Sequence, residues 1–202
     1  LMQGLADGYF VLPYTIGVFL SKEIRTPKIS TDTPEFEEAE QNVGNKIKKL
    51  LSINGKRSVE SYHRELGVDI MWQYCGMARN EEGLKIGREK VRALREDFWK
   101  NVYVPHTDKD GQEFNPELEK ALRVADFFEL AELMIVDAMD RKESCGGHFR
   151  DEYATVEGEA ERNDKDYAYV SAWQFNGLDD DPVLHKENLE FHDIELKTRS
   201  YK

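Results

Sequence analysis

Cys145 and His148 are the two residues of this chain whose types and spacing come closest to a chemical site. They lie in residues 143–150, which read Glu-Ser-Cys-Gly-Gly-His-Phe-Arg. A thiol three residues from an imidazole is half of a zinc site, or a nucleophile with its base. Zinc sites usually need four ligands, however, and no second ligand pair or orienting acid stands at a suitable spacing. The paired glycines favour a sharp turn at a helix end instead, with nearby polar side chains bonding carbonyls or acids.

Two acidic stretches are weaker candidates. Asp108, Asp110 and Gly111 have part of the pattern of a calcium loop, but the acids that follow do not complete an EF-hand. The acids from Glu157 to Asp166 are predicted to lie in a solvent-facing loop. The chain has no glycine-rich phosphate-binding loop, so a flavin or nucleotide site cannot be built from these residues alone.

The composition is that of a globular, helical domain. The chain has 202 residues, enough for one good core, and 11% aromatic residues argue against disorder. The formal charge of −12 makes nucleic acid and anionic lipid poor partners for the surface as a whole. Two cysteines make no disulfide framework and favour a reducing compartment.

Residues 1–20 form an apolar run that Asp7, Pro13 and three glycines interrupt. These interruptions exclude a transmembrane helix, and the run lacks the basic start and small-residue cleavage pattern of a signal peptide. We expect a buried helix whose packing partner lies upstream. The chain is therefore expected to be the C-terminal piece of a larger protein.

The apolar spacing of the following residues predicts a bundle of helices. Residues 21–33 are predicted to be a polar linker. Capping residues and apolar stripes then predict helices from Thr33 to about Asn54, from Ser58 to Tyr74, from Asn80 to Tyr103 and from Asn115 to Arg141. The mixed charges of the third helix are predicted to form a solvated face with local pairs. The tryptophans at 72, 99 and 173 are expected to be packing residues.

The fold class predicted from these elements is mainly α, an antiparallel bundle of three to four helices with an irregular C-terminal tail. The expected domain organisation is a helix and linker over 1–29, the bundle over 30–142 and the tail over 143–202. Short strands are predicted at 167–173, 183–185 and 189–191, because their composition is β-rich. The tail has too little apolar content for a core of its own, so it is expected to dock on the bundle or on a partner.

The stretch around Cys145 resembles the S-R-G-A-H-x-R motif of the flavoprotein subunit of succinate dehydrogenase and fumarate reductase. Ser144, Gly146, His148 and Arg150 match that pattern, while Cys145 replaces its arginine and Gly147 its alanine. Residues 162–164, Arg-Asn-Asp, resemble the family's R-D-D stretch, and residues 199–201 resemble its R-x-Y terminus. Residues 1–20 look like the helix after the family's flavin-contacting R-L-G-x-x-x-L segment, of which Leu1 would be the last residue.

This resemblance implies a parent subunit that binds FAD and moves a hydride between the flavin and the succinate/fumarate carbon pair. Electrons would pass to or from an iron–sulfur subunit and a membrane quinone module, at the cytoplasmic face of the membrane. The family's catalytic residues and flavin-linking histidine lie upstream of Leu1, so no catalytic residue and no metal ligand can be assigned to this chain. By the resemblance Leu1 is a cofactor-contacting residue, whereas Ser144, Gly146, His148 and Arg150 have a structural role, and no FAD is expected on the chain alone.

Two alternatives remain open at the level of the sequence. The first is the C-terminal domain of a related flavoenzyme such as L-aspartate oxidase, which shares the architecture but not the partners. The second is a free-standing helical interaction module that is unrelated to flavin chemistry. An in-frame flavin domain before Leu1 would favour the flavoprotein reading, and a start codon at Met2 would oppose it.

Overall fold

The computed structural model describes residues 2–107, 114–178 and 180–197. It divides into two compact units, Leu1–Gly44 and Asn45–Lys202, and each is described by itself below. The described residues are mainly helical with short strands, as predicted. No helix in this part of the chain is long and apolar enough to cross a membrane.

The first unit is a succession of short helices with exposed apolar side chains. Helices α1 (Met2–Ala6) and α2 (Leu12–Gly17) are joined by a π-helical turn (Asp7–Val11), and a 3₁₀ helix follows at Phe19–Arg25. The linker predicted for 21–33 is therefore wrong in its first part, because local bonds such as Ser21 N–H to the Val18 carbonyl extend the helix. Phe10 and Phe19 are each 74% exposed within the chain. The predicted burial of this segment against an upstream partner stays a prediction.

Four of the helices begin directly after the predicted capping residues. Helix α3 runs over Pro34–Ser52, α4 over Val59–Arg64, α6 over Glu81–Asn101 and α7 over Pro116–Asp140. The side chains of Ser58, Asn80 and Asn115 each accept a backbone hydrogen bond from the first turn of the helix that follows. Such caps satisfy N–H groups that have no partner within the helix, and each is worth about 1 kcal/mol.

The second predicted helix is continuous but irregular. A π-helical segment (Glu65–Met71) follows α4, and the short helix α5 (Trp72–Tyr74) ends the run. Gly67 lies inside the π-helical segment, where an added Cβ would meet no atom within 4 Å. The packing role expected for Trp72 is wrong, since this side chain is 75% exposed on the chain.

The core lies between the helical run 59–74, α6 and α7. Phe98 of α6 is fully buried, and its ring lies 5.2 Å from Tyr62, 5.4 Å from Phe128 and 5.3 Å from Trp99. Full burial of such a side chain stabilises the fold by about 1.5–3 kcal/mol, and each well-oriented aromatic pair adds about 0.5–1.5 kcal/mol. The packing role predicted for Trp99 agrees with these contacts.

Short parallel strand pairs join the ends of the helices. Strand β1 (Arg57–Ser58) pairs with β3 (Val102–Tyr103), and β2 (Ala78–Arg79) pairs with β4 (Phe149–Arg150). Gly55 allows the first pair to approach, because a Cβ there would lie 1.8 Å from the Asn101 carbonyl oxygen. The second pair brings the segment after α7 beside the start of α6.

The C-terminal segment contains a short helix and a hairpin. Helix α8 (Asp164–Tyr167) precedes β5 (Tyr169–Gln174), which pairs antiparallel with β6 (Val183–Asn188) in the register Tyr169 to Asn188. Two predictions are wrong here. Asp164 and Asp166 lie in α8 rather than in a loop, because Asn163 caps it. Residues 189–191 form no strand, since the pairing ends where Leu189 N–H bonds the Ala168 carbonyl.

Candidate functional site

The residues 143–150 form a tight corner between α7 and β4. Cys145 and His148 exchange two backbone hydrogen bonds, at 2.8 and 3.1 Å, so the chain reverses within four residues. Gly146 lies inside that turn at a φ of +59°, in the left-handed region that glycine adopts at little cost. This is the sharp glycine-dependent turn that the sequence predicts.

Ser144 closes the corner from inside. The side chain is fully buried, and its hydroxyl accepts a hydrogen bond from Arg150 N–H at 2.8 Å and donates to the Arg150 carbonyl at 3.2 Å. The Ser144 N–H also bonds the Glu161 carbonyl at 2.9 Å. The Ser144 hydroxyl thus joins the two ends of the corner, and the Ser144 N–H holds the segment around Glu161 against the corner.

Arg150 connects the two long helices below the corner. Its fully buried guanidinium donates to the Ala138 carbonyl at the end of α7 at 2.8 Å and to the Glu152 carboxylate at 3.1 Å. The other oxygen of Glu152 accepts the Glu81 N–H at the start of α6 at 2.5 Å. Partial burial alone would raise the pKa of Glu152, but the bonds from Glu81 N–H and Arg150 outweigh it and lower that pKa. These contacts satisfy a carbonyl and an amide that helix ends leave unpaired.

The imidazole of His148 is held on both sides. One ring nitrogen, Nδ1, lies 3.0 Å from the Arg79 guanidinium, and Nε2 lies 2.9 Å from the Arg141 carbonyl. Arginine can only donate and a carbonyl can only accept, so the ring is neutral with its proton on Nε2. Burial, followed by the charges of Arg79 and Arg150, lowers the pKa of His148 despite the opposing Arg141 carbonyl and Asp137.

This arrangement leaves no free imidazole nitrogen for Cys145. The Cys145 side chain is an exposed free thiol, and Cys75 is a buried one whose burial raises its pKa. Within the described ranges, no group of three or more His, Cys, Asp or Glu side chains is placed to hold a metal. The half zinc site and the Cys–His nucleophile pair considered from the sequence therefore lack the geometry that either chemistry needs. Any calcium site at Asp108, Asp110 and Gly111 lies outside the described residues.

The second matching stretch, 162–164, lies against the corner. The Glu143 carboxylate accepts the Asn163 N–H at 2.8 Å and an Arg141 guanidinium hydrogen bond at 2.7 Å. Arg141 in turn lies 5.7 and 5.3 Å from the ring centres of Tyr167 and Tyr169, within cation–π distance. The structure thus brings two of the three matching stretches together. Leu1 and the third stretch, 199–201, lie outside the described residues.

A partly buried network of arginines on α6 was missed from the sequence. Arg88, Arg92 and Arg95 all bond the Glu132 carboxylate of α7, at 3.2, 2.5 and 2.9 Å. Arg88 also pairs with Asp181 beside the hairpin and holds the pKa of that carboxyl below its usual value. The solvated charged face predicted for this helix is therefore wrong at these positions. The spacing of the arginines was the available signal, because it places them on one face of a helix.

The described residues do not fit a dinucleotide cofactor. A flavin pyrophosphate is usually bound by a glycine-rich turn that leads into a helix N-terminus. The described glycines with positive φ are Gly146, Gly158 and Gly177, and they lie far apart in the sequence, in separate turns. Gly146, which belongs to the corner, leads into strand β4 and not into a helix.

The corner, bundle and hairpin together define the class of protein. Residues 63–201 match the family model of the fumarate reductase flavoprotein C-terminal domain. The chain belongs to this family, which occurs in FAD-dependent oxidoreductases.

Three longer proteins are similar to this chain in sequence. The chain is 26% identical over 128 residues to an uncharacterised FAD-dependent oxidoreductase of Methanocaldococcus jannaschii, covering 60% of the chain and 21% of that protein. It is 33% identical over 96 residues to L-aspartate oxidase 2 of Ralstonia nicotianae, covering 46% and 15%. It is 29% identical over 127 residues to the fumarate reductase flavoprotein subunit of Proteus vulgaris, covering 63% and 20%. The chain thus spans about a fifth or less of these relatives.

Solved structures support the fold. The chain is similar to FrdA of the E. coli quinol fumarate reductase, with a TM-score of 0.67 and 24% sequence identity. The match covers 83% of the present chain and 27% of FrdA. The present chain is similar to a chain of the Mycobacterium smegmatis Sdh1 complex, with a TM-score of 0.61 and 23% identity over 82% of the present chain and 25% of that chain. At these identities the likeness concerns the fold.

Proposed function

We propose that this chain is the C-terminal helical domain of the flavoprotein subunit of a succinate dehydrogenase or fumarate reductase. The observation that carries the proposal is the family match over residues 63–201, which includes most of the bundle, the corner and the hairpin. The short coverage of each relative supports the view that the flavin and substrate residues belong to the rest of a longer polypeptide.

In this proposal the domain has a structural and interface-forming role. Ser144, Gly146, His148 and Arg150 hold the C-terminal segment on the ends of α6 and α7, and none of them acts on substrate. Their internal hydrogen bonds support this role, because the bonding groups are used within the fold. The exposed apolar side chains of residues 2–20 would be covered by the parent's own flavin domain. Leu1 would contact FAD there.

The parent would interconvert succinate and fumarate in a larger assembly. Its partners would be an iron–sulfur subunit and a membrane quinone-reactive subunit, which would hold it at the cytoplasmic face of the membrane. The similarity to the fumarate reductase flavoprotein subunit of Proteus vulgaris supports a parent that works as one subunit of an assembly. The negative charge of the chain argues against nucleic acid as a further partner.

L-aspartate oxidase is the second candidate parent, and one observation favours it. The relative of that name has the higher identity, 33%, although over a shorter stretch of 96 residues. Such a parent would use the same architecture without the partner subunits.

The two parents are distinguished by the activity of the complete polypeptide. The natural reading frame would be followed upstream of Leu1 and its full-length product purified with FAD. We expect fumarate to oxidise a reduced viologen dye in its presence, with little oxygen-dependent turnover of L-aspartate. Oxidation of L-aspartate without dye-dependent reduction of fumarate to succinate would contradict the proposal in favour of the second candidate. An open reading frame that starts at Met2 with no flavin domain would contradict both.

A further inference from the structure

A groove lies between α7 and the turn of the β5–β6 hairpin. It encloses about 350 Å³, near the lower end of the roughly 300–1,000 Å³ typical of ligand pockets. Its apolar lining includes Leu130, Leu133, Val136, Trp173, Phe175 and Leu178. A space of this size receives one or two side chains and is too small for a whole helix.

Part of the apolar wall of this groove is open to solvent. Leu130 is 54% exposed, Phe175 66% and Leu178 40%, although all three line the same depression. Phe127 and Met134 extend this surface along α7, since they stand three residues before and four after Leu130, and they are 40% and 44% exposed. Single exposed apolar residues are ordinary on a protein surface, whereas a cluster of them that lines a groove is a candidate interaction site.

The charge of the groove selects its occupant. Its lining contains the carboxylates of Glu129, Glu132 and Asp180 against the single guanidinium of Arg95. Glu132 is neutralised by the arginines of α6, while Glu129 and Asp180 form no ion pair with any residue that the structure describes. Counting Arg88, Arg92 and Asp181 of the same network still leaves more carboxylates than guanidiniums. An occupant with a positive charge beside an apolar group is therefore favoured.

The walls are held in place before anything binds. Arg95 donates to the Leu178 carbonyl at 3.3 Å, and the Trp173 indole N–H donates to the Asp137 carboxylate at 2.7 Å. Arg88 holds Asp181 at the other end of the turn. A preformed groove loses less conformational entropy on binding than one that must be ordered.

We propose that this groove docks a short segment of a partner polypeptide in which an apolar side chain is followed by a lysine or arginine. The apolar side chain lies against Leu130, Trp173 and Phe175, and the cation lies between Glu129 and Asp180. The inference rests on the proposed function to the extent that the partner is a subunit or domain of the parent assembly.

The test uses the whole chain and two blocked dipeptides of equal size, acetyl-Phe-Arg-amide and acetyl-Phe-Glu-amide. Each is titrated to millimolar concentration while the indole N–H signals of the ¹⁵N-labelled chain are recorded. We expect the arginine probe to shift the Trp173 signal and leave that of Trp72 in place. The glutamate probe is expected to bind roughly fivefold more weakly, the effect of about one exposed ion pair.

Variants locate the binding and its charge preference. Leu130→Asp is expected to abolish the shift, whereas Leu189→Asp, at a leucine that is 44% exposed and does not line the groove, is expected to keep it. The double variant E129Q/D180N is expected to bind both probes equally. The inference is overturned by equal binding of the two probes to the natural chain, by no shift with either, or by a Trp173 signal that changes only with protein concentration, which would indicate a second copy as occupant. These readouts do not involve fumarate, so failure here is distinguishable from failure of the proposed function.

Discussion

Replacement of Arg150 by methionine tests the structural role of the corner most sharply. The Arg150 side chain is 1% exposed, and methionine fills much of its volume without its charge or donors. The Ala138 carbonyl then loses its hydrogen bond in a buried place, which costs about 1–3 kcal/mol. The Glu152 side chain is 39% exposed and can be solvated again, so the lost ion pair adds only about 0.2–1 kcal/mol. We expect a total loss of about 1–4 kcal/mol.

The assay is urea unfolding followed by circular dichroism, with the free energy of unfolding extrapolated to water. Arg123→Met is the matched control, because Arg123 is 68% exposed and its ion pair among the described residues is with Glu119 of its own helix. Its loss should be below about 0.5 kcal/mol. Arg150→Lys should recover little of the stability, since an ammonium cannot reproduce the two directions of the guanidinium bonds. Equal stability of R150M and R123M would refute the reasoning.

Three further predictions concern the corner and the arginine network. The pKa of His148 is lowered in the fold, so the unfolded chain takes up the proton first as the pH falls. The free energy of unfolding should therefore decrease below about pH 6.5. His148→Gln should flatten this part of a pH series of urea midpoints. Gly146→Ala should cost about 1 kcal/mol in thermal unfolding, because its φ is +59°, while Gly147→Ala, whose φ is not positive, should be near neutral; equal effects would contradict the left-handed turn. Glu132→Gln should lower the free energy of unfolding by about 2–4 kcal/mol, because it leaves partly buried guanidiniums uncompensated. The control Glu129→Gln, at an exposed position, should lower it by less than about 0.5 kcal/mol. Similar urea midpoints for the two variants would count against the network.

The elements predicted best from the sequence depend on local chemistry. Ser58, Asn80 and Asn115 cap helices because their short polar side chains reach the free amides of the next turn. The glycine turn at Gly146 is local in the same sense, since the missing Cβ permits its φ. Such features require no knowledge of distant contacts.

The features that sequence reasoning missed depend on which helix faces pack together. Arg88, Arg92 and Arg95 occupy a charged stripe like any solvated one until α7 places Glu132 against them. Trp72 is a large aromatic residue of the kind that often packs in a core, yet the helix turns its side chain outward. Neither outcome follows from spacing within one element.

The corner contains one feature that depends on local chemistry and one that depends on distant contacts. Its turn was predictable, whereas the partners of His148 were not, because Arg79 lies 69 residues earlier in the chain. The parallel pairing of β2 with β4 brings these residues together.

The central claim is that this chain is the non-catalytic C-terminal domain of a flavoprotein subunit, and flavin content with fumarate turnover tests it most directly. The 202-residue chain and its full-length parent would be purified in the same way, and bound FAD and fumarate-dependent oxidation of a reduced viologen dye measured for each. We predict stoichiometric FAD and turnover in the parent, and neither in the chain alone. Tight FAD binding and fumarate reduction by the chain alone would contradict the claim.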